Sequence, residues 1–180
     1  MKEQELAIRC ARRDKEAWEE LFRQYSPRLF ALCLRYSRDR GQAEDLLQDA
    51  FIRIFDRIGR FRPQHDGALY KWMARVTLNL FFDKARRKHL YQEVAIGPLE
   101  EMLAMPDYDE TKLVPAEKLQ EMVDALPERY RLVFQLFCID ELSHREIAEL
   151  LGIKEKSSSA DLARARAILA GKIKEYLDEH

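Results

Sequence analysis

The chain has 180 residues, of which 47% are hydrophobic, so it can bury a core and is not a disordered chain. No apolar run approaches the ~20 residues of a membrane span, and residues 1–15 are charged throughout, which excludes a secretory signal and predicts a cytoplasmic protein. Cys10, Cys33 and Cys138 are odd in number and lie far apart in apolar helical sequence, which predicts core thiols rather than disulfides or a metal site.

Charge is unevenly distributed along the chain. The net charge is −1, but residues 1–88 hold 20 Lys and Arg against 13 Asp and Glu, whereas residues 89–127 hold 2 against 9. Residues 128–180 are close to balanced, with 9 against 10. An acidic middle therefore conceals a basic first half, and asymmetry of this kind predicts different roles for different segments.

The first segments of the chain show helical periodicity. Apolar side chains recur at spacings of three and four, and the aromatic ones among them are predicted to lie in the core. The series consists of Leu6, Cys10, Ala11, Ala17, Trp18, Leu21, Phe22, Tyr25, Leu29, Phe30, Leu32, Cys33 and Tyr36. Ser26 and Pro27 interrupt this pattern. Because Pro is favoured at the first position of a helix after a Ser cap, a new helix is predicted to begin there.

The segment Ala43–Ile58 carries the strongest helical pattern. One broad face is apolar and contains Leu46, Leu47, Ala50, Phe51, Ile54, Phe55 and Ile58. The opposite face is polar apart from Ile52, and charges on such a face are ordinarily only solvated. The apolar Ile52 among these charges favours the alternative that a partner binds this face.

A loop and a basic helix follow, and both offer groups for external contacts. Gly and Pro mark the loop over residues 59–68, where the available side chains are Arg60, Phe61, Arg62 and His65. The helix is predicted from Tyr70 to Lys88, with Trp72, Val76 and Leu80 facing the core. Its polar side chains are Lys71, Arg75, Asn79, Lys84, Arg86, Arg87 and Lys88. Such groups can neutralise phosphates and contact bases, so the helix is a candidate nucleic-acid surface.

The next segment changes character. Residues 89–115 contain three Pro residues and several acidic side chains without a sustained period, which predicts an acidic linker between two domains. Pro115 then begins a helix that runs to Leu126, and Tyr130–Phe137 forms another.

The stretch Leu142–Arg166 has the pattern of a helix-turn-helix. Ser143 and Glu146 form a capping box, and Gly152 is placed to end the short helix that follows. After a turn, the serines at 157–159 together with Asp161 can cap a second helix. Two short helices with a Gly-containing turn are typical of DNA-binding proteins, but they also occur as ordinary elements of helical bundles.

Sequence signals for catalysis are absent. No Gly-rich phosphate loop, GxSxG or HExxH motif occurs, and the four His residues are scattered. The sequence therefore predicts neither an enzyme nor a site for a metal or cofactor.

Taken together, these segments resemble the extracytoplasmic-function sigma factors of bacterial RNA polymerase. The resemblance is carried by AEDLLQDAFIRIF at 43–55, WMARVTLNLFFDKARR at 72–87, ALPERYRLVFQLF at 125–137 and SHREIAELLGI at 143–153. It implies an all-α fold with two helical domains: residues 1–88 would bind polymerase core and melt the minus-ten element, and residues 116–180 would read the minus-thirty-five element. The acidic linker 89–115 would join them.

The resemblance also assigns residues to partners. The face formed by Asp45, Gln48, Asp49 and Ile52 would dock on the clamp helices of the beta-prime subunit of polymerase core, which also includes the beta subunit. Arg60, Phe61, Arg62, Arg75, Asn79, Lys84, Arg86 and Arg87 would contact the minus-ten element and its non-template strand. Promoter DNA and an anti-sigma protein are the other expected partners, and no small-molecule substrate, cofactor or metal is implied.

The resemblance assigns the minus-thirty-five element to the second helix of the hairpin. The expected contact residues are Lys154, Lys156, Ser157, Ser159, Arg164 and Arg166. This helix departs from the family pattern, since Ser158 stands where an inward apolar residue is usual. Asp161 would be repelled by phosphate unless it accepts from a cytosine amino group or caps the helix.

Two alternatives come from other classes of protein. A free-standing helix-turn-helix regulator would need one DNA-binding element, whereas a sigma factor needs two, which makes the basic helix 70–88 the discriminating feature. A pure interaction module would show no dependence on DNA at all.

Overall fold

The computed structural model describes residues 3–37, 39–62, 67–87 and 114–179, with the backbone alone at 85–87. Within these ranges every regular element is helical, and no strand occurs, so the predicted all-α fold class is confirmed. The chain divides into two compact units with the boundary between Lys88 and His89. In the parts of the chain that the structure covers, no helix is long and apolar enough to cross a membrane.

The described residues of the first unit form four α-helices and a short 3-10 turn. They are α1 (Glu3–Ala11), α2 (Lys15–Tyr36), α3 (Arg40–Arg57), the turn Ile58–Arg60 and α4 (Ala68–Arg87). Asp14 caps α2 by accepting from the amide of Ala17, and Asp39 caps α3 by accepting from the amide of Gln42. These side chains satisfy amides that have no partner within their own helix, and they fix where α2 and α3 begin.

An aromatic seam holds α2 against α3. The Trp18 ring stacks on Phe55 with centroids 4.2 Å apart, and one turn further along α2 the Phe22 ring lies 4.7 Å from Phe51. These pairs advance along α2 while they recede along α3, so the two helices are antiparallel. The indole Nε1 of Trp18 also donates to the carbonyl of Cys10 at 2.7 Å, which ties α1 to the same seam.

The prediction that Ser26 and Pro27 separate two helices is wrong, because α2 continues through both. Pro27 removes one backbone hydrogen bond and normally costs about 3 kcal/mol inside a helix. On either side of it, Leu21, Tyr25 and Leu29 are buried on one face. Burial of three such side chains contributes about 1.5–3 kcal/mol each, which outweighs the cost of the proline.

Over residues 114–179, the described part of the second unit, the predicted hairpin is preceded by two helices. They are α5 (Ala116–Asp124), α6 (Glu128–Cys138), α7 (His144–Leu151) and α8 (Glu155–Glu179). The core between α5 and α8 is formed by Val114, Met122, Leu126, Ala165, Leu169 and Ile173.

The start and the end of α7 agree with the sequence prediction. Ser143 and Glu146 form the complete capping box, and Gly152 ends the helix with φ +70°. The amides of Gly152 and Ile153 both donate to the carbonyl of Ala148, as in a Schellman-type helix end. The short helix of the hairpin is therefore fixed at both ends by local sequence.

The predicted start of the second hairpin helix is wrong. Helix α8 already begins at Glu155, so the serines at 157–159 lie inside its first turns instead of capping it. The amides of Ser157 and Ser158 donate to the carbonyl of Lys154, which closes the first turn upstream of the serine run.

The cysteines differ from one another in burial. Cys10 and Cys33 are buried as predicted, but Cys138 is exposed, so the prediction of three core thiols is wrong at this position. Cys138 is the last residue of α6, where the helix leaves the core. Burial raises the pKa of the Cys10 thiol to about 11 and that of Cys33 to about 12.

This difference predicts selective thiol chemistry. At pH 8 an aromatic disulfide reagent should modify one thiol per folded chain, at Cys138, because the thiolate is the reactive form and the two buried thiols hold their protons. Cys138→Ser should abolish this modification in the folded chain, and denaturant should expose the other two thiols to the reagent. Rapid modification of Cys10 or Cys33 in the folded chain would contradict this assignment.

Candidate protein and nucleic-acid interfaces

The outer face of α3 presents acidic and apolar groups side by side. Ala43, Leu46 and Ala50 are buried, which turns Asp45 and Gln48 to solvent. Ile52 on the same outer face is 62% exposed, an unusual state for a large aliphatic side chain. The structure therefore places the predicted docking residues together on one accessible surface.

Asp49 makes a contact with a second helix that the sequence did not indicate. Its carboxylate forms an ion pair with the ammonium group of Lys84 on α4, and both side chains are about half exposed. Sequence reasoning assigned Asp49 to a protein partner and Lys84 to DNA. The ion pair joins these two predicted surfaces.

Helix α4 carries a row of polar groups at a spacing of four. Lys71 and Asn79 are exposed, and Arg75 between them is half-buried. Steps of four residues advance about 6 Å along a helix, so these three side chains follow one line. The side chains of Arg86 and Arg87 lie outside the described residues, as does His65 in the preceding loop.

The loop residues before α4 behave differently from one another. Arg60 is exposed, and Arg62 donates to the backbone carbonyls of Gly59 and Phe61 at 3.0 and 2.9 Å. The expectation that Phe61 is available for contacts is wrong, because it is only 7% exposed and packs on Trp72 with centroids 5.5 Å apart. Burial of the Phe61 ring against Trp72 is more favourable in free energy than its exposure to solvent.

Helix α8 turns a basic and polar face to solvent. Lys156, Ser159 and Arg166 are exposed, and Lys154 is exposed just before the helix begins. Ser157 is partly buried at the side of this face. The Arg166 guanidinium carbon lies 5.8 Å from the centre of the Phe137 ring, within the range of a cation–π contact.

The inward face of α8 contains an ion pair that sequence reasoning missed. Asp161 is 2% exposed, and its carboxylate accepts from Arg129 of α6 at 2.6 Å and lies 3.5 Å from Arg164. Asp161 therefore neither caps the helix nor reaches a base, and both predicted roles are wrong. The side chain of Arg164 is only 15% exposed, so it belongs to this ion pair more than to the surface.

A second polar contact lies beside this pair. Ser158 is fully buried and lies 3.0 Å from Nδ1 of His144 at the start of α7. The imidazole of His144 stacks on Phe137 of α6 with centroids 4.6 Å apart. Ser158 does occupy the inward position expected of an apolar residue, and the imidazole of His144 satisfies its hydroxyl.

Comparison with known proteins matches both units of the chain. The family model for Sigma-70 region 2 covers residues 21–96, and the model for Sigma-70, region 4 covers residues 116–169. The ECF RNA polymerase sigma factor SigM of Mycobacterium tuberculosis is 30% identical over 157 residues, which cover 87% of this chain and 77% of SigM. The chain belongs to the extracytoplasmic-function sigma factors of bacterial RNA polymerase. Sigma factors are transcription initiation factors and not catalysts.

Two further proteins are similar to this sigma factor. The ECF RNA polymerase sigma factor SigE of Mycolicibacterium smegmatis is 32% identical over 170 residues, and the match spans 91% of this chain but only 63% of SigE. The sigma factor RpoE of Bartonella quintana, solved in complex with the anti-sigma factor NepR, aligns with a TM-score of 0.52 at 19% identity. That alignment covers 87% of this chain and 96% of RpoE, and it shows a shared fold.

One surface residue of this sigma factor was missed by sequence reasoning. Phe22 was predicted to lie in the core, but its side chain is about half exposed on α2, where it packs against Phe51 of α3. The signal was present in the spacing, since the buried series Ala17, Leu21 and Tyr25 advances by four and leaves Phe22 at its edge. Phe22 adds apolar surface to the α2–α3 pair that also carries Ile52.

The buried ion pair predicts a local stability effect. Asp161→Ala would leave the guanidinium of Arg129 in the core without a carboxylate, which should destabilise the packing of α8 by about 3 kcal/mol. Amide hydrogen exchange should become faster along α8 and α6 and stay unchanged in the first unit. Asp178→Ala, which removes an exposed carboxylate near the end of the same helix, is the matched control. Equal exchange rates in the two variants would contradict the role of Asp161.

Proposed function

We propose that this chain binds core RNA polymerase, recognises a promoter with both of its units and starts transcription of a specific regulon. It does so without catalysing a reaction and without a cofactor, in the cytoplasm where its polymerase and template are found. The observation that carries the proposal is the presence of two separate cation-bearing helices, α4 and α8, together with an acidic and apolar face on α3. A free-standing regulator has no use for the second DNA element or for the α3 face.

The α3 face is the proposed docking site for the beta-prime clamp helices. An exposed Ile52 supplies an apolar centre, and Asp45, Gln48 and Asp49 around it can accept hydrogen bonds from Arg side chains. Charge-assisted bonds around an apolar anchor combine affinity with a defined orientation. Phe22 extends the same apolar surface onto α2.

Docking at this site breaks the ion pair between Asp49 and Lys84 and gives each side chain a new partner. When a cation of the polymerase engages Asp49, the ammonium group of Lys84 becomes available for a phosphate. Since an exposed ion pair is worth about 0.2–1 kcal/mol, breaking it costs little free energy when polymerase engages Asp49 or DNA engages Lys84. Polymerase binding and DNA binding thereby favour each other in this proposal.

The minus-ten element is assigned to the loop and helix that follow α3. Arg60, Arg62, Arg75, Asn79, Lys84, Arg86 and Arg87 are proposed to follow the non-template strand. Binding energy from phosphates and unstacked bases would offset the cost of opening the duplex, so that no ATP is needed. Phe61 packs on Trp72 and is not part of this proposed contact set.

The minus-thirty-five element is assigned to α8 in the major groove. Lys156, Ser159 and Arg166 lie on the exposed side, with Lys154 and Ser157 at the start. Arg164 is left out because Asp161 holds it. In this assignment residues 1–88 bind polymerase core and melt DNA, residues 116–180 read the upstream element, and the acidic linker 89–115 joins them. An anti-sigma protein, as found with RpoE, is the proposed regulatory partner.

Transcription with purified core polymerase tests the function. The chain should direct specific transcripts from a promoter of its regulon, and the double variant Asp45→Arg with Asp49→Arg should weaken holoenzyme assembly at least tenfold, because two attractive charges become repulsive. Glu5→Arg with Glu16→Arg makes the same change in charge on α1 and α2 and should assemble normally. Promoter binding by the chain alone that blocks transcription would instead identify a free-standing regulator.

The ion-pair exchange makes a separate prediction. Lys84→Met removes the internal competitor for Asp49, so affinity for core polymerase should rise by about twofold to fivefold while binding of the holoenzyme to the non-template strand weakens. Lys71→Met on the same helix should affect DNA binding without raising polymerase affinity. Fluorescence anisotropy at low and high salt measures both quantities. Unchanged polymerase affinity in Lys84→Met would rule out the exchange.

A further inference from the structure

Glu3 on α1 makes hydrogen bonds far along the chain. Its Oε2 accepts from the amide of Gly67 at 2.9 Å and from the amide of Leu69 at 3.3 Å. Its Oε1 accepts from the hydroxyl of Tyr25 on α2 at 3.1 Å. One carboxylate therefore joins the beginning of α4 to two other helices.

The residue just before α4 has no side chain that could cap the helix. The helix starts at Ala68, and the residue before it is Gly67, which has φ +83° and no side-chain oxygen. Helices usually place Ser, Thr, Asp or Asn at that position to accept from the first amides. Glu3 fills this role from α1, and its negative charge is also favourable at the positive end of the helix dipole.

Two aromatic contacts fix the same turn. The Arg28 guanidinium of α2 lies 3.7 Å from the centre of the Tyr70 ring, and Trp72 packs on Phe61. The amide of Lys71 donates to the carbonyl of Gly67 at 3.3 Å, which closes the turn that Glu3 caps. If the cap is lost and this turn frays, both aromatic contacts and the position of Lys71 are loosened together.

The polar row of α4 begins in this capped turn. Lys71, Arg75 and Asn79 follow at steps of four, so the direction of the row is set by how the first turn is held. We infer that Glu3 is a positioning residue for promoter opening: by capping α4 from α1 it fixes the start of the helix that lies along the non-template strand. This inference rests on the proposed function of α4.

Open-complex formation by the reconstituted holoenzyme tests the inference. Glu3→Ala should lower the rate of opening on a duplex promoter by about threefold to tenfold, the size of effect expected for loss of one helix cap. On a promoter whose minus-ten region is already unpaired, the same variant should form the open complex at the wild-type rate, because the opening step has been removed. Permanganate reactivity of unpaired thymines measures opening, and affinity for core polymerase should be unchanged.

Matched variants separate positioning from a general loss of stability. Glu5→Ala removes an exposed carboxylate from the same helix and should open the promoter normally. Glu3→Gln keeps one acceptor oxygen and should recover most of the rate, and it also serves if Glu3→Ala does not fold. Trp18 and Trp72, the two tryptophans of the chain, both lie in the first unit, so their fluorescence reports whether that unit is folded at the assay temperature.

Three outcomes would overturn the inference. They are normal opening by folded Glu3→Ala, an equal defect of that variant on duplex and pre-opened promoters, or equal defects in Glu3→Ala and Glu5→Ala. Failure of the wild-type chain to assemble with core polymerase would be a different result, since it would refute the proposed function instead.

Discussion

The rotation of each helix about its own axis is the constraint on which every candidate contact depends. Burial fixes that rotation, because a helix that hides one face must present the opposite one. In α3 the buried residues Ala43, Leu46 and Ala50 turn Asp45 and Ile52 outward. A rotation of one residue, about 100°, would bury a carboxylate and expose the seam to α2. The proposed docking surface is therefore a consequence of core packing.

Helix α4 is held at both of its ends by acidic groups from other helices. Glu3 of α1 caps the first turn, and Asp49 of α3 pairs with Lys84 in the second half. In the proposed function α4 carries positive charge toward DNA, and pairing with acids neutralises part of that charge while DNA is absent. The two acids would then differ in their consequence, since the amides bonded to Glu3 stay within the fold whereas Lys84 would be released by exchange. On this proposal the contact of Glu3 positions the helix, and the contact of Asp49 couples the two surfaces.

Polar contacts fix the hairpin of the second unit. Asp161 with Arg129, and Ser158 with His144, join α8 to α6 and α7 inside the packed region. Apolar side chains of similar volume are often as stabilising as a buried ion pair, so these contacts contribute less to net stability than to orientation. Each polar group also has to meet its partner, which opposes rotation of α8. The exposed face with Lys156 and Arg166 is thus held in one direction.

The sequence by itself determined the features that depend on neighbours along the chain. Periodicity predicted the helices, and local capping predicted both ends of α7, because a cap and its amides lie within a few residues. Only the tertiary structure decided which side chains meet across the chain. Pro27 is tolerated because distant residues bury its helix, and Phe61 turns inward because Trp72 is there. Asp161 meets Arg129 across 32 positions, and Glu3 caps a helix 64 residues away. Periodicity reports how much of a helix is buried, whereas partners from distant segments are set only when the helices pack.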